Sequence, residues 1–116
     1  YDDYYNKAVL VRSKIKDEYK AIFDECDFML SPTTLTPAYK IGSVISDPVK
    51  MYQADVLTVT LNIAGLPGLS TPCGYSSEGL PIGLQLTAPE FKEKELIAYG
   101  DAYEKAFKNF KKEAII

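Results

Sequence analysis

The sequence predicts an α/β fold in which a small mixed sheet is covered by helices. Three observations carry that reading. Helical periodicity marks both ends of the chain, strand-length apolar runs lie between them, and residues 62–86 (NIAGLPGLSTPCGYSSEGLPIGLQL) combine apolar side chains with closely spaced Gly and Pro. In that last stretch Gly65, Gly68, Gly74, Gly79 and Gly83 alternate with Pro67, Pro72 and Pro81 among Leu, Ile and Ala, which predicts a buried, irregular backbone.

The elements follow in order. Over residues 3–26, Tyr5, Ala8, Val9, Ile15, Tyr19, Ile22, Phe23 and Cys26 recur at helical steps, with Lys14, Lys16, Asp17, Glu18 and Lys20 largely opposite. Phe28, Met29 and Leu30 form a short apolar run stopped by Ser31 and Pro32, which suits a buried strand. The hydroxyl-rich SPTTLTPAYKIGSVISDP then predicts a long excursion of the kind that is functional or disordered in compact domains.

Asp47 and Pro48 have the form of an N-cap and first helical residue, so a short helix is expected to carry Met51, Tyr52, Asp55 and Val56 toward a stop at Gly65. Residues 69–73 and 82–86 predict two strands joined by a turn at Ser76, Ser77, Glu78 and Gly79. Ile82, Leu84 and Leu86 fall on one face of the second strand, and Gly83 and Gln85 on the other. Residues 93–110 close the chain with a second amphipathic helix, whose lysine-rich end suits its negative dipole terminus. Both outer helices are expected to cover the sheet. Three strands make a small sheet in need of partners, and the chain opens at Tyr1 with a helix already under way. Residues 1–116 are therefore expected to be one unit of a larger polypeptide.

Composition narrows the function. An apolar fraction of 47% and a charged fraction of 25% are globular averages, with no run long enough for a transmembrane helix, and no secretory signal is expected. The net charge of −3 argues against a strongly nucleic-acid-binding surface, and the lysines read as solvated helix faces. Most tyrosines fall on helical spacing and belong to packing rather than base stacking. Cys26 and Cys73 form no metal or redox spacing and read as reduced thiols of a cytosolic protein.

With no histidine, neither a Ser-His-Asp nor a Cys-His site is available within this chain. The GLSTP around Ser70 lacks the second glycine of a nucleophile elbow, and no phosphate-binding loop is present. Asp2, Asp3, Asp24, Glu25 and Asp27 cluster at helix ends, where solvation or dipole matching explains them. Asp55 differs. Apart from the turn residue Glu78 it is the only carboxylate between Val49 and Leu86, and burying it there is costly without a cationic or donor partner. It is either a ligand-binding acid or an exposed helix residue.

NIAGLPGLSTPCG followed by EGLPIGLQL closely resembles the amidase signature family, in which an N-x-A-G-x-P segment leads to a strand and then to G-L-P-x-G-x-Q. SPTTLTPA matches the same pattern, so the likeness spans residues 31–86, with compatible flanking helices. DPVKMYQADVLTVTLNIAGLPG and the opening YDDYYNKAVLVRSKI most resemble the branch of glutamine-hydrolysing subunits of tRNA-dependent amidotransferases, ahead of general amidases acting on small amides.

The resemblance implies that this is the C-terminal portion of an amidase signature domain. The family's catalytic lysine and two serines are then expected upstream of Tyr1, with none of the three in this chain, which alone would be inactive. By resemblance Asp55 holds the α-amino group of glutamine, while an arginine for the α-carboxylate lies upstream. The implied partners are amidotransferase subunits B and C, glutamine, and misacylated tRNA reached through the complex. No cofactor or metal is expected on this chain, ATP and magnesium being used by one of those partners, and the implied location is cytoplasmic, with no membrane partner.

Overall fold

The computed structural model describes residues 2–43 and 47–107. Three helices, α1 (Asp2–Phe23), α2 (Pro48–Ala64) and α3 (Glu93–Ala106), and three strands, β1 (Met29–Pro32), β2 (Gly68–Tyr75) and β3 (Pro81–Thr87), follow in the order α1-β1-α2-β2-β3-α3. The α/β reading holds. The strands pair antiparallel in the order β1-β3-β2, so the strand with the clearest period-2 pattern is central.

Register sorts the side chains by face. Leu30, Leu86 and Leu69 lie in one row across the three strands, and Ser31, Gln85 and Ser70 in the next. Neighbouring rows point to opposite faces, so one face of the sheet is apolar where the other carries hydroxyls and an amide. Pro72 is tolerated in β2 because β2 is an edge strand, and the register shifts between Pro72 and Gly74.

The apolar face packs against α3. Leu86, Ala88 and Leu96 are buried there, with Phe28 and Leu69 closing around them. Full burial of a leucine such as Leu96 stabilises by about 2 kcal/mol. Phe28 packs against Tyr99 with the rings tilted by 42° and their centroids 4.3 Å apart. Thr71, buried at the sheet surface, donates to Glu104 Oε1 at 3.3 Å.

The other face carries α2, and this arrangement corrects one expectation. Only α3 of the two outer helices covers the sheet; α1 packs mainly on α2, which already occupies that face. Two polar ties hold the helix pair: Tyr19 Oη donates to Thr60 Oγ1 at 3.0 Å, and Arg12 Nε donates to the Ile63 carbonyl at 2.8 Å. No residue of α1 is fully buried, and Leu10 and Val11 are exposed.

Cap chemistry fixes α2. Asp47, in extended conformation, accepts from Val49 N at 3.1 Å and Lys50 N at 3.3 Å, and Pro48 opens the helix. At the far end Gly65 is left-handed (φ 73°) and its N–H returns to the Leu61 carbonyl at 2.8 Å. The helix expected to be short has 17 residues. Its second half, VLTVTLNIA, is rich in β-branched residues that favour strand, and packing of Leu57, Leu61 and Ala64 toward the sheet overrides that preference.

Three further expectations are corrected. The first helix ends at Phe23 rather than Cys26: Asp24 N still makes the helical bond to the Lys20 carbonyl, but Glu25 N turns to the Ile22 carbonyl, three residues back, in a tighter final turn. Strand β1 starts at Met29 and runs through Ser31 and Pro32, and pairing continues to Thr33 N, which bonds the Gly83 carbonyl at 2.9 Å. As an edge strand it accepts a proline that would end a central one. Finally, residues 62–86 are mostly regular: the end of α2, then β2 and β3, with irregular backbone confined to residues 65–67 and 76–80. Exposure alternates over the first half of β2, whereas along the central β3 it falls from exposed Pro81 to Gln85, Leu86 and Thr87, buried in succession because both faces are covered there. The expected end of the last helix at Phe110 lies outside the described residues. Among the described residues no helix is long and apolar enough to cross a membrane.

Candidate functional site

Helix α2 presents Asp55 on its outer surface. The side of α2 turned to the sheet carries Ala54, Leu57, Leu61 and Ala64, one turn apart, and Asp55 lies off that stripe and is exposed. Its main-chain carbonyl accepts a bond from Thr58 Oγ1 at 3.0 Å, a local helix contact that leaves the carboxylate uninvolved. Around it Met51, Tyr52, Val56 and Val59 are exposed as well. A carboxylate framed by apolar side chains on a rigid helix is suited to a charge-assisted hydrogen bond from an ammonium or guanidinium group. In this chain the acid incurs no burial cost, since it is not buried.

Beneath α2 the polar face of the sheet carries two hydrogen-bonded groups that sequence reasoning missed. Gln85, 5% exposed, sends its Nε2 to Ser31 Oγ at 3.3 Å and to the Leu57 carbonyl of α2 at 3.1 Å. One step along the same face, Thr33 Oγ1 and Ser70 Oγ are 2.7 Å apart, spanning Gly83. A Cβ at Gly83 would lie 2.7 Å from Thr33 Oγ1, so only glycine leaves room for that bridge. The signal was present: Gly83 and Gln85 share one strand face, and SPTT supplies hydroxyls that need partners.

The shifted titratable groups belong to other parts of the molecule. A hydrogen bond from Lys16, helped by its charge, holds the Glu90 carboxyl below the usual carboxylate range, with Lys16 Nζ 2.7 Å from Glu90 Oε1. Lys92 does the same for Glu95 at 2.9 Å. Desolvation, with a smaller contribution from Cys73, raises the Tyr103 phenol.

A cavity of about 590 Å³ lies between α1 and the turn before α3, lined in part by Tyr19, Phe23, Leu66, Pro89 and Phe91. Another of about 440 Å³ lies where residues 65–69 meet the start of α3. Neither includes Asp55. Cys26 and Cys73 are free thiols, and among the described residues no group of three or more His, Cys, Asp or Glu side chains could hold a metal ion.

Comparison with known proteins places this architecture. The family model described as Amidase matches residues 1–97. The chain is 49% identical over 112 residues to the A subunit of glutamyl-tRNA(Gln) amidotransferase of Oceanobacillus iheyensis, covering 97% of this chain and 23% of that protein. Against the protein of the same name in Bdellovibrio bacteriovorus it is 50% identical over 106 residues, covering 91% of this chain and 22% of the other. Among solved structures, the A subunit of glutamyl-tRNA(Gln) amidotransferase of Thermotoga maritima superposes with a TM-score of 0.83 at 40% identity, over 90% of this chain and 23% of that one. A 6-aminohexanoate cyclic dimer hydrolase superposes with a TM-score of 0.71 at 26% identity, over 87% of this chain and 23% of that one. The chain thus spans under a quarter of the length of each of these four proteins.

Proposed function

Because the chain belongs to the amidase family, we propose that it is the C-terminal portion of the A subunit of a tRNA-dependent amidotransferase, that subunit being the glutamine-hydrolysing amidase of the complex. The observation that carries this reading is the near-half identity to proteins of that name along almost the entire chain. In the reaction a serine hydroxyl outside this chain adds to the side-chain amide carbon of glutamine and expels ammonia. Water then cleaves the acyl-enzyme to glutamate. Asp55 contributes binding: its carboxylate receives the α-amino group of glutamine, and the remainder of the protein closes over the exposed face of α2.

Ammonia passes to the partner subunits B and C of a cytoplasmic complex, which uses ATP and magnesium to convert Glu-tRNA(Gln) or Asp-tRNA(Asn) to the amidated form. The 116 residues on their own are inactive in this reading. The test is Asp55→Asn in the full-length protein within its complex. The KM for glutamine is expected to rise roughly tenfold or more, the loss of one charge-assisted contact, while use of free ammonia is unchanged. Equal loss in both assays sinks the assignment.

A second reading, another amidase acting on small amides, draws on the likeness to the 6-aminohexanoate cyclic dimer hydrolase. It is favoured if the full-length protein hydrolyses simple amides without its partner subunits and gains nothing from tRNA.

A further inference from the structure

We propose that Gln85 is a positioning residue for the Asp55 carboxylate, acting through the backbone of α2. This rests on the reading of Asp55 as the acid that binds the substrate amine. Gln85 is a buried polar side chain on the central strand, and its amide nitrogen bridges two other elements: Ser31 Oγ on the edge strand at 3.3 Å and the Leu57 carbonyl on α2 at 3.1 Å. The Leu57 carbonyl already accepts the helix's own bond from four residues on, so the Gln85 contact is additional and points sideways from the helix to the sheet.

A buried amide is costly to leave unpaired, and this one is satisfied only when α2 sits at one height and one rotation over β3. Leu57 is two residues from Asp55, well inside one helical turn, so whatever fixes the Leu57 carbonyl fixes the Asp55 backbone with it. Close packing sets the same spacing one turn further along. Gly68 on β2 leaves so little room beneath Leu61 that a Cβ would come within 2.9 Å of a Leu61 methyl carbon. Apolar packing there sets distance, and the Gln85 amide adds direction.

The experiment uses the full-length protein in its complex, with glutamine and free ammonia as alternative nitrogen donors. Gln85→Met keeps the volume and removes the donor. It is expected to raise the KM for glutamine about fivefold with kcat and ammonia-dependent activity within about twofold. In a double-mutant cycle with Asp55→Asn, the effect of Gln85→Met on KM is expected to vanish once Asp55 is gone.

An unchanged KM in Gln85→Met, an additive cycle, or a parallel fall in kcat and ammonia use overturns the positioning role, the last marking a merely structural residue. Should Gln85→Met fail to accumulate, Ser31→Ala removes one of the two acceptors with little change in packing, and a smaller KM rise in the same direction is expected; no rise overturns the proposal. The Asp55→Asn arm separates the two levels. If it leaves the KM for glutamine unchanged, the reading of the site falls and this proposal with it; if it raises KM and Gln85→Met does not, only the positioning role falls.

Discussion

Gly100 of α3 rests directly on Leu69 of β2: a Cβ placed on the glycine would lie 3.0 Å from both methyl carbons of the leucine. The helix interior ordinarily disfavours glycine by about 1 kcal/mol relative to alanine, so Gly100→Ala sets a propensity gain against a tight contact. The methyl groups are the far end of a half-buried side chain and must give by a few tenths of an ångström to admit the new methyl. Gly100→Ala is expected to change stability by less than about 1 kcal/mol, whereas Gly100→Leu destabilises by about 2 kcal/mol or more through overpacking. Urea denaturation of both variants, with Leu69→Ala added to the second, checks this: Leu69→Ala should recover part of the loss, and purely additive losses would show that the contact is not the cause.

On the opposite face, Gly83 lies under the Thr33–Ser70 bridge. Gly83→Ala is expected to displace Thr33, break the 2.7 Å hydroxyl contact, and cost about 1–2 kcal/mol. In a Thr33→Ala background the same substitution should cost less, because the nearest clashing atom is absent. Equal costs in the two backgrounds would place the strain elsewhere.

The caps of α2 allow a direct comparison of its two ends. Asp47→Ala leaves the Val49 and Lys50 N–H groups without their side-chain acceptor and is expected to cost about 1 kcal/mol. Gly65→Ala forces a Cβ onto a left-handed residue, 3.9 Å from an Arg12 guanidinium nitrogen, and is expected to cost a similar ~1 kcal/mol. Circular dichroism melts of the two variants and their combination should show additive losses, since the sites lie at opposite ends of the helix.

The Lys16–Glu90 pair governs an acid-side response. Glu90 has a folded-state pKa below its unfolded value, so its contribution to stability is present above the ordinary carboxylate range and is lost as pH falls through the folded value. Both side chains are about half exposed, so the effect is small and screened by salt. In Lys16→Met the Glu90 carboxyl, followed by NMR titration, is expected to move up toward its usual range, as it should in part at high salt. A Glu90 titration indifferent to both changes would deny the pairing.

Legibility in the sequence divides along physical lines. Local rules were readable: Asp47, Pro48 and Gly65 bound α2 as cap chemistry requires, and the alternation Ile82, Leu84, Leu86 against Gly83, Gln85 gave the two faces of β3. What required three dimensions was not. Burial of Gln85 depends on α2 lying over the polar face, and nothing in the linear sequence says that a 17-residue helix with Val56, Thr58, Val59 and Thr60 in its second half will do so. The retreat of α1 from the sheet follows from the same fact. Asp55 stood out by the scarcity of acids around it, whereas its exposure is set by the side of α2 that Leu57 and Leu61 turn inward.

The described polar ties from other elements to α2 begin at Leu57, next to the midpoint of the rod, and continue at Thr60 and Ile63 toward its C-terminal end. Such a rod is tied from its midpoint to its C-terminal end and has one free arm. For a tilt of about 5° about Leu57, the rise of about 1.5 Å per residue gives a displacement of about 1 Å at Pro48 but only about 0.3 Å at Asp55. The N-terminal tip therefore moves several times further than the acid, which, set close to the pivot, stays almost still.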